Sequence, residues 1–158
     1  MTNILVKSTE SKVLVDSNVI LEVILQREQV DVAKRSLSLL SVGKHEAYLT
    51  VGGFYGMLYT VDNYLRKVME LKKPNRIDAL RSIMKQVLNK FQVAEHDRDS
   101  LLCSIDDKAF YDLEDSCQYQ AALKEGCTLL VTFNKNDFYV SDDAPVKVMT
   151  PQEFLKMS

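Results

Sequence analysis

A short apolar run that ends in an aspartate and continues at once as a helical pattern most constrains the fold of this chain. Residues 12–15 form the run, Asp16 ends it, and residues 17–24 continue with helical spacing. Short apolar strands that alternate with helices are typical of parallel sheets covered on both faces. Such sheets bind their ligands outside the carboxyl ends of the strands. Asp16 therefore lies where an α/β protein places functional carboxylates.

Four further apolar runs have the same character, at residues 47–50, 91–94, 128–131 and 146–149. Between them, apolar residues recur at intervals of three and four, which predicts amphipathic helices. Two long helices are predicted within 51–90, a shorter helix ends near Gly43, and another follows Asp112. Thr150 and Glu153 form a capping box that starts a last helix. We therefore predict an α/β fold, a three-layer α/β/α sandwich with a mostly parallel central sheet.

Two more carboxylates stand at comparable positions further along the chain. Asp115 lies in the first turn of the helix that Asp112 opens, and Asp137 follows the apolar run 128–131. Together with Asp16, these residues lie in the stretches Val15-Asp16-Ser17-Asn18-Val19-Ile20, Asp112-Leu113-Glu114-Asp115-Ser116 with Ala121-Ala122, and Val131-Thr132-Phe133-Asn134-Lys135-Asn136-Asp137-Phe138. The stretches resemble the motifs of the PIN-domain family, a family of metal-dependent ribonucleases that includes many bacterial toxins. The resemblance extends from about residue 12 to about residue 154 and implies a PIN-like sandwich.

A metal site would bring these carboxylates together. Carboxylate oxygens are hard ligands that favour Mg²⁺ or Mn²⁺, and closely placed like charges repel unless a cation is present. The resemblance implies that Asp16, Asp115 and Asp137 bind such an ion, and we predict that they are catalytic together with Asn134. The groups expected to orient ligands or water around the ion are Asn134 and the hydroxyls of Ser17 or Thr132.

Each carboxylate also has a purely structural interpretation. Asp16 is a good N-cap for the helix that follows it. Asp115 suits the first turn of a helix, where acids interact favourably with the helix dipole, and Asp137 could simply close a turn. Taken singly, these interpretations are the stronger ones. The order of the three positions along the chain favours the metal site.

One position departs from the family pattern. The family usually carries an acid on the helix after the second strand, and the resemblance aligns Gly56 with that acid. Glycine offers no ligand, and it disfavours a helix by about 1 kcal/mol relative to alanine. The site therefore has three acids, or a neighbour such as Glu22 replaces the fourth, or catalysis has decayed.

The net charge of −2 hides an uneven distribution. Residues 66–90 carry eight basic and two acidic side chains, whereas residues 95–115 carry eight acidic and two basic ones. A basic stretch beside the site would guide RNA. A solvated face of two helices is the plainer interpretation of the same charges.

Aromatic, histidine and cysteine residues add little to the site. We interpret the tyrosines in or near the helix that follows the second strand as half-buried packing residues: Tyr48, Tyr55, Tyr59 and Tyr64. His45 and His96 stand apart and are predicted to be surface residues, so a zinc site is not expected. The three cysteines show no paired spacing and are predicted to be reduced and mostly buried.

The leading hypothesis is a Mg²⁺- or Mn²⁺-dependent PIN-type endoribonuclease that hydrolyses RNA with a metal-activated water. The resemblance further implies the toxin of a toxin–antitoxin pair, with RNA as substrate, a cognate antitoxin as partner and a homodimer as assembly. An alternative is a PIN-like domain that binds RNA or protein with weakened or lost nuclease activity, which Gly56 favours. A third interpretation is a phosphoacceptor receiver or a phosphatase, with Lys135 as its lysine.

The length and hydropathy of the sequence predict its domain organisation and location. We predict one PIN-like domain over residues 1–158, with its core at about 12–154 and a flexible or loosely packed segment at 1–10. No apolar stretch approaches the roughly 20 residues needed to span a bilayer, and the first residues do not resemble a signal peptide. A cytoplasmic location is therefore expected.

Overall fold

A sheet of five parallel strands forms the centre of residues 11–42 and 44–158, the ranges that the computed structural model describes. The strands are β1 (Ser11–Val15), β2 (His45–Thr50), β3 (Gln92–Ala94), β4 (Leu129–Val131) and β5 (Lys147–Met149). Each begins within two residues of its predicted start. All the strand pairs are parallel, which confirms the predicted sheet.

The strand order is β3-β2-β1-β4-β5. The chain builds one side of the sheet from β1 to β3 and then crosses over to build β4 and β5 on the other side. β1 and β4 are therefore neighbours, with Val15 paired to Val131. The carboxyl ends of these two strands form the point where the strand order reverses, which is where open α/β sheets bind ligands. Asp16 follows β1 directly, and Thr132 follows β4.

Helices cover both faces of this sheet. One face packs against α1 (Ser17–Ile24), α2 (Val30–Ser41), α3 (Val51–Lys67), α4 (Asn75–Lys90) and α7 (Pro151–Met157). The other face packs against α6 (Leu113–Glu125), which in turn contacts α5 (Arg98–Asp106). Val13 and Val15 belong to the first core and Leu14 to the second, because successive side chains of a strand point to opposite faces. The predicted three-layer α/β/α sandwich is confirmed.

The helix starts follow the predicted capping chemistry. Asp112 accepts hydrogen bonds from the backbone N–H groups of Glu114 and Asp115. Thr150 and Glu153 make the reciprocal bonds of a capping box at α7. Gly126 ends α6 at φ 79°, a left-handed conformation that glycine adopts without steric cost.

Some predictions were incomplete or lie outside the described ranges. Helix α5 was not predicted, because its apolar residues form only a weak stripe among acidic ones, although Asp97 and Ser100 form a capping box at its start. Helix α2 ends at Ser41, close to the predicted end at Gly43, which is not among the described residues. The predicted flexible segment 1–10 also lies outside them.

The surface predictions for several side chains were wrong. His45 and His96 are partly buried, and His45 Nδ1 lies 2.6 Å from Ser11 Oγ. Tyr55 and Tyr59 are 65% and 75% exposed, so they are not packing residues. Cys127 is buried as predicted, but Cys103 is exposed; all three cysteines are free thiols. Within the described ranges no helix is long and apolar enough to cross a membrane.

Candidate metal centre

Asp16 is held firmly at the corner between β1 and α1. Its side chain is only 5% exposed and accepts a hydrogen bond from the Asn18 backbone N–H at 3.3 Å, so it is the N-cap of α1. The Thr132 hydroxyl donates to the other carboxylate oxygen at 2.8 Å. Burial raises the pKa of Asp16, while the bonds from Thr132 and Asn18 and a contact with Gln118 oppose that rise. The capping interpretation is therefore correct, and it leaves a buried carboxylate at the switch point.

Thr132 connects this corner to the corner after β4. Its hydroxyl oxygen accepts hydrogen bonds from the Asn134 backbone N–H at 3.0 Å and from Asn18 Nδ2 at 3.3 Å. The Asn18 side-chain oxygen accepts from the Phe133 backbone N–H at 3.4 Å. Since the hydroxyl also donates to Asp16, one donor and two acceptor positions of Thr132 are all used. The two corners are thereby fixed relative to each other.

Asp115 lies in the first turn of α6 and is 8% exposed. Its pKa is raised to about 7, first by burial and then by the negative charges of Asp112, Asp16 and Asp137, with a smaller contribution from Glu114. Asp16 and Asp137, which come from separate parts of the chain, therefore both act electrostatically on Asp115. The position at a helix N-terminus favours the charged form, and the raised pKa shows that burial and repulsion outweigh it.

Asp137 and Asn134 lie on the outer side of this cluster. Asp137 ends a single 3₁₀ turn, Lys135–Asp137. The side chains of Asn134 and Asp137 are both exposed. Lys135 Nζ lies 2.8 Å from Glu153 Oε1, which anchors the turn to α7. This ion pair engages the lysine that a receiver or phosphatase would need beside Asp16, so it counts against the third interpretation. The role of Asn134 in orienting water stays a prediction.

The donor chemistry fits a divalent cation. Burial, together with the negative charges of Asp112, Asp16 and Asp137, raises the pKa of Asp115 to about 7, and a cation would favour the charged form of this carboxylate. Among residues 11–42 and 44–158, no three His, Cys, Asp or Glu side chains are grouped closely enough to hold an ion as they stand. Since hydrogen bonds hold Asp16 in place, sharing one ion requires Asp115 and Asp137 to move toward it. The exposed position of Asp137 allows such a movement.

Three findings at the site could not be read from the sequence motifs. Asn18 and Gln118 had no predicted role, yet both contact Asp16. Gln118 lies one helical turn after Asp115, and this spacing was the available signal. The carboxylate of Glu22 accepts a hydrogen bond from the Gln29 backbone N–H at 3.0 Å, and its replacement of the missing acid stays a prediction. Gly56 is exposed, and a Cβ built there meets no heavy atom within 4 Å.

The comparison with known families decides the identity of the fold. Residues 12–136 match the PIN domain. The chain belongs to the PIN-domain family. This PIN domain is 31% identical over 148 residues to a protein named ribonuclease VapC1 from Aquifex aeolicus (strain VF5). That alignment covers 90% of this chain and 92% of the relative.

Two solved structures share the fold of this PIN domain. VapBC2 from Rickettsia felis, bound to a DNA fragment from its promoter, matches with a TM-score of 0.61 at 13% identity. The match covers 88% of this chain and 98% of that chain. VapC20 from Mycobacterium tuberculosis, a toxin that cleaves the sarcin-ricin loop, matches with a TM-score of 0.52 at 12% identity. It covers 83% of this chain and 91% of that chain.

The raised pKa of Asp115 predicts a particular pH dependence of the free energy of unfolding in the absence of metal. Its folded pKa of about 7 exceeds the ordinary value of 3.8, so the folded state binds more protons between these values. Stability should therefore fall as pH rises through 7. The test compares the unfolding midpoints of Asp115→Asn and the wild type in chelator. The variant's midpoint relative to that of the wild type should be higher at pH 8.5 than at pH 5.5, by roughly 2 °C or more. A constant difference across this range would show that Asp115 titrates normally.

Proposed function

We propose that this chain is a Mg²⁺- or Mn²⁺-dependent endoribonuclease. The observation that carries the proposal is the pair of buried carboxylates, Asp16 and Asp115, near the switch point between β1 and β4, where the charges of Asp16 and Asp137 contribute to the raised pKa of Asp115. Buried carboxylates that repel one another there are costly for a protein unless a cation joins them. The 31% identity to a protein named as a ribonuclease supports RNA as the substrate.

The chain's residues would divide the work as follows. Asp16, Asp115 and Asp137 hold the ion, which when bound activates water and offsets charge on the phosphate. Thr132 and Asn18 fix the rotamer of Asp16 through the hydrogen bonds described above. Such outer contacts orient ligands and strengthen binding. Asn134, which is exposed, would orient water or a phosphate oxygen.

We also propose a protein partner. The relative is a VapC protein, and one structure with this fold is a VapBC complex bound to promoter DNA. These likenesses support a toxin paired with a VapB-type antitoxin. A homodimer is part of the same proposal, and light scattering of the purified chain measures it directly.

The basic stretch lies mainly at the far end of α3. Arg66, Lys72, Lys73 and Arg76 line one cavity of about 610 Å³ around the α3–α4 connection. Helix α3 has 17 residues and starts at the site, so its other end is roughly 25 Å away at 1.5 Å per residue. These four residues therefore lie away from the acidic site. We propose that the basic stretch contacts RNA flanking the position of cleavage.

The direct test is RNA cleavage by the purified chain. With Mg²⁺ or Mn²⁺, a single-stranded RNA should be cut at internal positions, and excess chelator should abolish the cutting. Restoring the metal should restore it. The readout is the appearance of discrete internal fragments on a denaturing gel. Cleavage that persists unchanged in chelator would contradict the metal-dependent proposal.

A second candidate function is binding of RNA or protein without cleavage. Gly56 favours it, because a side chain that the family usually supplies is absent there. RNA binding that survives in chelator, together with no cleavage in any metal, would support this candidate.

A further inference from the structure

A broad cavity adjoins the metal centre. Its volume is about 730 Å³, and it lies between the start of α3, the end of β3 and the first turns of α5 and α6. Gln118 lines it and also contacts Asp16, while Glu114 lines it one residue before Asp115. The cavity therefore lies beside the proposed site of cleavage, and its volume is in the range of small-molecule sites.

Three of the residues that line this cavity are glycines. Gly52, Gly53 and Gly56 line it at the start of α3, and a Cβ at Gly56 would extend into open space. Tyr55, 65% exposed, and Leu101, 42% exposed, line the same cavity. Glycines without side chains leave room for a planar ring beside an exposed aromatic side chain, and nucleobases stack on aromatic side chains. The absence of the family acid at Gly56 is thus what keeps the cavity open.

The polar groups of the cavity exclude phosphate and favour a base edge. Glu95 and Glu114 line it, and two carboxylates repel a phosphate while accepting N–H donors. His96 lines it as well, and its Nδ1 is buried without a hydrogen-bond partner within the described residues, which leaves Nε2 as the ring nitrogen for a ligand. Burial and Lys124 lower the pKa of His96, so at neutral pH the ring is uncharged and one of its nitrogens donates.

We infer that this cavity is a nucleobase subsite that selects an unpaired guanine next to the phosphate that is cut. The inference rests on the proposed function, because RNA is then the ligand. The pairing edge of guanine presents two adjacent donors, N1–H and the N2 amino group, beside the O6 acceptor. A carboxylate such as Glu95 matches the two donors, and His96 can donate to O6. Adenine, cytosine and uracil lack two adjacent donors on that edge.

The test measures binding in chelator, so that cleavage does not enter. The probes are 5′-labelled hexamers, five uridines with one central guanosine, inosine or uridine, followed by fluorescence anisotropy. The guanosine hexamer should bind about tenfold more tightly than the all-uridine hexamer, within the range of one bidentate base contact. Inosine, which lacks the N2 amino group, should fall between them.

Single substitutions test whether the residues of this cavity cause the guanosine preference. Glu95→Gln should reduce the guanosine preference to about twofold or less without weakening the all-uridine hexamer, whereas Glu28→Gln, an exposed site between α1 and α2, should change neither. Gly56→Leu, which fills the cavity, should also remove the preference. Gly56→Ala, which adds one methyl group, should largely keep it. Alanine and leucine both raise helix propensity relative to glycine, so Gly56→Ala shows whether a change in helix stability alone alters the preference.

Several results would overturn the inference. These are equal affinity of the wild type for all three hexamers, no binding of any hexamer, or an unchanged preference in both Glu95→Gln and Gly56→Leu. Binding of an arginine-containing peptide but of no hexamer would assign the cavity to a protein segment instead. A guanosine preference without cleavage would leave the subsite standing and end the nuclease proposal. Cleavage without a guanosine preference would support the nuclease proposal and end the subsite inference.

Discussion

Asparagine in place of Asp16 should lower the rate of RNA cleavage by about a thousandfold while the fold stays intact. A metal ion contributes several kcal/mol to the stabilisation of a phosphoryl transition state, and each 1.36 kcal/mol is about tenfold in rate. The substitution separates the two roles of Asp16, because asparagine caps a helix about as well as aspartate does. It also removes a buried charge with a raised pKa, which offsets the loss of one of the two hydrogen bonds that the carboxylate oxygens accept, so the unfolding midpoint in chelator should change little.

The measurement is single-turnover cleavage of a labelled RNA in Mg²⁺, with thermal unfolding of the same samples. Asp31→Asn is a matched control, since Asp31 is exposed in the first turn of α2, away from the site. It should cut RNA as the wild type does. If Asp16→Asn kept a tenth or more of the wild-type rate, Asp16 would be only a helix cap.

Glutamate in place of Gly56 should raise cleavage and make stability depend on metal. The new Cβ meets no heavy atom within 4 Å, and replacing a mid-helix glycine recovers up to about 1 kcal/mol of helix propensity. In chelator, repulsion from the existing carboxylates should offset this gain. With metal at about 100 times its dissociation constant, a ligand that binds only the folded state adds about 2.7 kcal/mol of stability. The variant should therefore show a larger metal-induced rise in unfolding midpoint than the wild type.

Gly56→Gln is the control for this variant, because it has the same size and no charge. It should gain helix stability without gaining metal dependence or cleavage. The RNA for this comparison contains no guanine, so that filling the cavity at Gly56 does not affect the rate. Equal metal responses in the glutamate and glutamine variants would mean that position 56 does not reach the ion.

The sequence predicted the parts of the fold that depend on local patterns. The five strands, the caps at Asp112 and Thr150, and the two long helices of 51–90 follow from apolar spacing and capping chemistry, and the structure has all of them. Helix α5 was not predicted, because its capping box is its only clear helical signal and its acidic residues are typical of a loop.

The site was only partly predictable, because its contacts join distant segments. Asp16 and Thr132 are 116 residues apart in the chain, and no local pattern shows that the Thr132 hydroxyl bonds to that carboxylate. The exposure of Tyr55 was misjudged for a related reason. Its helix is amphipathic, but the neighbouring glycines leave a cavity where a packed face was expected. The raised pKa of Asp115 likewise depends on charges that only the fold brings near.

The claim on which the account depends is that Asp16, Asp115 and Asp137 meet on one divalent ion. Anomalous diffraction from crystals grown with Mn²⁺ tests it most directly, because it locates the ion independently of activity. The account predicts one strong peak outside the carboxyl ends of β1 and β4, contacted by carboxylate oxygens of all three residues. A peak bound by other side chains, or none at this edge at millimolar Mn²⁺, would contradict it.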